Sequence, residues 1–202
     1  MTRAAGLVVD VRAVRGAGAH AALVRRTARA ALHHLGVAPC ELSIALVDDR
    51  EMRALNRTWR GKDATTDVLA FAQSEGEGAA TPGLLGDVVV STATAARQAR
   101  RRGEALDGEL GTLVVHGILH LLGYDHERSP AEARQMFRKQ REVIAAIGRD
   151  RHAARKTRPL RPGAARGAIS AEGRERARKR ESSPEKAKPK PRARLNRPAA
   201  RR

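Results

Sequence analysis

The 202-residue sequence has one cysteine, four aromatic side chains and no long apolar run, and each scarcity removes a class of protein. A lone Cys40 cannot close an internal disulfide, which excludes a stapled secreted scaffold and fits a reducing cytosol. Cys40 follows Pro39 at the start of a strand-like run, where a small packed residue is the expectation. No segment approaches the roughly 18–20 apolar residues that span a bilayer. The longest apolar stretch, residues 113–124, is broken by two histidines and two glycines, so no membrane partner is expected. The first residues lack a charged stretch followed by an apolar run and a cleavage site, so a cytoplasmic location is expected rather than export. Trp59, Phe71 and Tyr124 are too few and too dispersed for the stacking platform of a single-strand binder.

What is abundant is positive charge, and it is unevenly placed. The formal net charge is +18, from 40 Lys+Arg against 22 Asp+Glu. Residues 149–202 carry 20 basic and 5 acidic residues, which leaves a net of only +3 on residues 1–148. All four aromatic residues also precede position 149. The expected organisation is one domain over 1–148, long enough to bury an ordinary core, and a basic tail over 149–202. The tail is rich in Lys, Arg, Ala and Pro, buries too little to offset its ordering entropy, and is expected to be disordered. It reads as a plain solvated extension, as an RNA-binding arm, or least readily as a membrane-surface anchor.

Within the body, residues 7–11, 41–47, 67–72 and 86–91 read as strands from their alternation and their Val and Phe content. Residues 19–35 carry apolar residues at helical spacing up to Gly36. Asp48 or Asp49 can cap a helix reaching about Trp59, with Met52 and Leu55 inward. Residues 92–102 form another helical stretch, and Asp107 can cap the helix that runs to Gly123. Ser129-Pro130-Ala131-Glu132 is a capping box that starts a last helix, expected to end at Gly148. Residues 74–83 read as a mobile Gly/Glu/Ala/Pro loop. The fold class is therefore α+β, with a small mixed β-sheet packed with helices.

The chemistry concentrates in residues 116–126, HGILHLLGYDH, which hold three of the seven histidines. His116 and His120 are four apart and share one helical face. Gly123 can end the helix in a left-handed conformation and turn His126 towards the same point. Three imidazoles with a fourth position free is the layout of a catalytic Zn2+ site. His20, His33, His34 and His152 lack that geometry and read as surface or tail residues. The spacing is similar to that of metzincin proteases, H-E-x-x-H-x-x-G-x-x-H, but Gly117 stands where the proteases carry their general base. Peptide hydrolysis is disfavoured on that ground.

The stretch resembles the signature of the YbeY family of endoribonucleases, H-G-x-L-H-L-x-G-Y-D-H, at every specified position. Residues 55–63 (LNRTWRGKD) and 66–71 (TDVLAF) resemble its second signature, and residues 85–91 (LGDVVVS) its L-G-D-I-V-I-S strand. Departures are Trp59 for tyrosine, Thr65 for proline and Ala70 for serine, and the resemblance spans about residues 7–148. It implies a zinc-dependent, single-strand-specific endoribonuclease, a hydrolase with a zincin-like metal-site helix. It further implies action in rRNA processing, at the 3′ end of 16S rRNA, and in ribosome quality control. The implied partners are an rRNA precursor and the small ribosomal subunit with its assembly factors. His116, His120 and His126 become the ligands of one Zn2+, and Arg60 matches the family's functional arginine.

A guanidinium can hold two phosphate oxygens in a fixed fork. Arg60 sits in what reads as a loop, and its alternative role is an ion pair with Asp63 or Asp67. Asp125 could orient an imidazole or cap the turn, and Glu127 could be neutralised by Arg128, so the general base stays open. Phe71 is expected in the core, and Trp59 and Tyr124 are expected to pack rather than line a cleft. The competing classes are a non-catalytic RNA-binding assembly factor with a structural zinc, and a metzincin-like protease.

Overall fold

The computed structural model describes residues 6–157 except 15, 38 and 74–82. All but Gly83 of the expected 74–83 loop, and residues 158–202 of the expected basic tail, thus lie outside the described residues.

Four strands form one mixed sheet: β1 (Val8–Ala13), β2 (Glu41–Val47), β3 (Val68–Ala72) and β4 (Leu84–Ser91). Their order is β1-β2-β4-β3, with β1 parallel to β2, β2 parallel to β4, and β3 antiparallel to β4 at an edge. The helices are α1 (Gly18–His34), α2 (Asp49–Arg60), α3 (Thr92–Arg102), α4 (Leu106–Leu121) and α5 (Pro130–Thr157). This is the α+β class with a mixed sheet.

Alternation along the strands divides the interior. Leu42, Ile44 and Leu46 of β2 and Val88 and Val90 of β4 face a large core with Val24 and Leu32 of α1, Val114 and Ile118 of α4, and Met136 and Val143 of α5. Cys40 is buried there, as expected of a small packed residue. Val47, Leu69 and Val89 point the other way and meet Met52 of α2 in a smaller cluster. Helix α2 therefore covers one face of the sheet, while α1, α4 and α5 cover the other.

Helix α4 packs directly on the sheet at Gly117, where the strand side chains leave no space for a side chain. A Cβ built there would stand 2.6 Å from Cγ1 and 3.1 Å from Cγ2 of Val88, and 3.3 Å from Cγ2 of Val68. Valine is stiff at χ1 and cannot move its methyls aside. The position that holds a carboxylate in the proteases faces β4 and β3 here and has no room even for a methyl group.

Caps and a polar hub fix the other junctions. Asp48, not Asp49, caps α2, accepting from the Glu51 amide at 2.8 Å. Asp49 instead gathers three elements. It accepts from Ser91 Oγ at 2.6 Å, Thr94 Oγ1 at 2.9 Å and the Arg97 guanidinium at 2.6 Å. The Arg97 bond leads in holding the Asp49 carboxyl at about 2, below its ordinary 3.8. Helix α4 starts without a side-chain cap. Asp107 is one residue inside its first turn and bonds His20 Nδ1 at 2.6 Å instead. Ser129 caps α5, its Oγ accepting from the Glu132 amide at 3.2 Å.

Helix α5 does not end at Gly148 but runs to Thr157. A mid-helix glycine costs only about 1 kcal/mol relative to alanine. The following Arg, Ala and Lys are good helix formers, no proline intervenes, and Asp150 ties the extension to His34 Nε2 of α1 at 2.9 Å.

Two outcomes follow from these contacts. Gly117→Ala should destabilise by about 2 kcal/mol, the cost of overpacking, although alanine normally favours a helix. Adding Val88→Ala should recover part of that loss, read as the coupling in a double-mutant cycle by urea unfolding. Asp49 has a depressed folded pKa, so its contribution is present above 3.8 and is lost as pH falls through about 2. Asp49→Asn should cost roughly 1 kcal/mol at neutral pH, the partial exposure of the pair being allowed for, and should flatten the acid limb of the stability profile.

Candidate metal centre

His116 and His120 lie on the last turns of α4, one turn apart on a single face that is rotated away from the direction in which Gly117 meets the sheet. The chain leaves the helix at Gly123, whose φ of +84° suits a residue without a Cβ. The Gly123 amide donates to the His120 carbonyl at 2.9 Å and the Tyr124 amide to that of Leu119 at 3.1 Å. This reversal returns His126 to the helix. The three ring centroids are 4.8, 5.0 and 5.2 Å apart, a nearly equilateral triangle. One nitrogen from each ring falls within 4.8 Å of the others.

Two residues of α5 shape this triangle. Gln140 Oε1 is 2.8 Å from Nδ1 of His116. As an acceptor it places the ring proton on Nδ1 and leaves the Nε2 lone pair free. Phe137 stacks on His126 at 5.6 Å and 26°, and on His116 at 6.3 Å and 27°. Burial pushes the pKa of His116 and of His120 below the ordinary histidine value, and the neighbouring imidazoles push the same way. Three imidazoles gathered at one point, with Nε2 of His116 and Nε2 of His120 3.1 Å apart, fit a divalent metal such as zinc. Among the described residues no fourth His, Cys, Asp or Glu joins the group.

The cleft over the histidines has a volume of about 500 Å³ and is lined by Arg60, Phe137 and Gln140 as well as by β3. Arg60 is the last residue of α2, not a loop residue, and it pairs with Glu127 at 3.3 Å rather than with Asp63 or Asp67. Asp63 is taken by Arg53 at 2.7 Å, and Asp67 accepts from Gln98 at 2.9 Å. Because β3 is an edge strand, the end of α2 on one sheet face meets the loop after α4 on the other. Asp125 organises that loop, accepting from the Glu127 amide at 2.8 Å and pairing with Arg128 at 3.0 Å, and no bond to an imidazole is found. Those two contacts hold its carboxyl below the usual range, the amide bond first. Glu127 is thus paired with Arg60 and not with Arg128.

Sequence reasoning missed Gln140, Phe137 and a buried glutamate further along the cleft. Gln140 had a signal, being the one polar residue on the apolar stripe formed by Met136, Phe137, Val143, Ile144 and Ile147. Glu109, two turns before His116, is 1% exposed and bonds Arg102 at 2.7 Å. Burial raises its pKa and Arg102 opposes the rise. Tyr124 packs against the core and also lines the cleft. Trp59 does neither: it is 67% exposed and outside the core. Phe71 packs, partly buried, against the smaller cluster.

Fold and site together define an α+β protein carrying a three-histidine cradle able to hold a metal, on a helix whose protease-type carboxylate position is sterically closed. The family model described as Endoribonuclease YbeY matches residues 15–148, and this chain belongs to the YbeY family. Endoribonuclease YbeY of Anaeromyxobacter sp. (strain Fw109-5) is 57% identical over 125 residues, which are 62% of this chain and 64% of that protein. The chain thus spans a little under two thirds of that relative. Endoribonuclease YbeY of Geobacter metallireducens is 46% identical over 129 residues, covering 63% of this chain and 86% of that one. The solution structure of TM1509 from Thermotoga maritima superposes with a TM-score of 0.51 at 26% identity, over 77% of this chain and 99% of that one. No described helix is long and apolar enough to cross a membrane.

Gln140→Leu should leave the fold intact but weaken zinc binding about 10- to 100-fold, measured by chelator competition. Because burial lowers the His116 and His120 pKa values, zinc affinity should hold steady down to about pH 6.5 and fall only below it.

Proposed function

We propose that this chain is a Zn2+-dependent endoribonuclease that cuts single-stranded RNA, acting with the small ribosomal subunit in maturing the 3′ end of 16S rRNA and in ribosome quality control. The observation that carries the reading is the convergence of His116, His120 and His126 in a cleft that also receives Arg60. The family membership and the names of the relatives support RNA as substrate, and the cytoplasm is the location that this reading proposes.

The proposed roles follow from the geometry. His116, His120 and His126 hold the metal, which when bound supplies Lewis-acid polarisation of a phosphate oxygen. Gln140 keeps His116 in the ligating tautomer, and Phe137 shields one side of the imidazoles from water. Arg60 binds the phosphate whose charge grows in the transition state, its guanidinium aimed into the cleft by Glu127 until substrate replaces that partner. Of the other carboxylates lining the cleft, Asp67, Glu109 and Asp125 already have partners in the protein. Residues 149–202 would add sequence-independent affinity by releasing counterions from RNA.

The alternatives fare worse on the same contacts. A structural zinc would be expected to close its shell with a fourth protein ligand. Cys40, the single cysteine, is buried in the core at the start of β2 rather than beside the histidines. A metzincin-like protease needs a carboxylate at position 117, where Val88 leaves no space.

The test compares wild type and His116→Ala on single-stranded and duplex RNA after metal analysis. Wild type should carry one zinc and cut the single strand, and the variant should lose both properties; equal activity would point to a contaminating nuclease. Arg60→Lys should retain zinc and fold but lose about a hundredfold in cleavage, because lysine lacks the fork. Unimpaired turnover would remove Arg60 from the mechanism.

A further inference from the structure

The most exposed large apolar side chain among the described residues is Trp59, at 67%. Its position follows from the stripe on α2. Met52 and Asn56 are buried and Leu55 packs against the smaller cluster, and Trp59 continues this face one turn further, at the end of the helix. There the stripe overruns the sheet. The ring of Phe71 meets Trp59, edge on, at 5.7 Å and 63°. That contact steadies the indole while most of its surface remains in water.

Two neighbouring features give the open ring a direction. Arg60 follows it directly, and successive helical side chains splay by about 100°. The guanidinium therefore enters the cleft with the histidines, while the indole leaves the helix in another direction and is not part of the cleft lining. Lys62, just past the helix end, is exposed, whereas Arg57 lies on another face of α2 and contacts Asp63 at 3.9 Å. An open indole next in the chain to a cleft-lining guanidinium matches a ligand with flat apolar faces on an anionic backbone, and single-stranded nucleic acid has that composition.

We infer that Trp59 is a base-stacking subsite for the unpaired nucleotide adjoining the phosphate held by Arg60. The inference rests on the RNA-cleaving reading and adds to it a source of single-strand preference. A base can lie flat on the indole only when it is free of its own helix, and every base offers a π-face, so selection is for unpaired structure rather than sequence.

Because the sequence contains a single tryptophan, the ring reports on itself. The full-length, zinc-loaded protein is titrated with a short 2′-O-methyl single strand and with an abasic strand of equal length, binding being followed separately by anisotropy of a labelled end. Stacking predicts saturable quenching of Trp59 by the first strand and none by the second. Trp59→Ala should raise KM for single-stranded RNA roughly tenfold, with the loss in KM rather than kcat, and Trp59→Phe should recover much of it. Binding and cleavage without quenching, or an unchanged KM in Trp59→Ala, would overturn the subsite, leave the nuclease reading standing and reassign the ring to a protein partner. Absence of both RNA binding and cleavage in wild type would instead defeat the nuclease reading, and this inference with it.

Discussion

The contact between α4 and the sheet at Gly117 is the constraint on which the rest of the site depends. With Val88 methyls where a Cβ would be, the helix has one depth and one rotation at which it can pack. That rotation turns His116 and His120 to the side of the sheet instead of into it. It also brings α4 near enough to the sheet edge for Arg60 of α2 to reach the loop that follows the helix. A larger residue at 117 would lift the helix, and the histidine pair and the Arg60–Glu127 contact would shift with it.

Around this fixed helix the site is assembled from parts that share no element. α4 supplies two imidazoles, the turn at Gly123 returns a third, α5 supplies Gln140 and Phe137, and α2 supplies Arg60 from beyond the edge strand. Electrostatics agrees with the geometry. Burial lowers the pKa values of His116 and His120 and so favours the neutral imidazole that can hold a metal, while Arg60, Glu127 and Arg128 stay in the solvated mouth, where charge costs little. The polar hub at Asp49 pins the start of α2 to the end of β4 and the start of α3, and so fixes the far end of the helix that carries Trp59 and Arg60.

Much of this was legible in the chain, and the failures have physical causes. The strands and the helices of the body were readable because their apolar periodicity is local. The histidine triad was readable because i,i+4 spacing and a terminating glycine are local signals too. Trp59 was expected to pack, and its exposure could not be foreseen because it depends on where the sheet ends relative to α2. Asp107 looked like a cap, yet His20 of α1 takes its carboxylate. Gly148 looked like a stop, and the helix-forming residues after it carry the helix on. The two aspartates suggested for Arg60 were bound to other partners, and its actual partner is 67 residues away along the chain.

By itself, then, the sequence determined which side chains could ligate a metal, that the protease base is missing, and where each element begins within a few residues. Those properties depend on residue type and short spacing. Tertiary structure alone decided why position 117 must be glycine, which carboxylate pairs with Arg60, which amide meets Nδ1 of His116, and that Trp59 faces solvent. Each is a contact or an open face between segments distant in sequence, where the excluded volume of one element limits another and no local pattern records it.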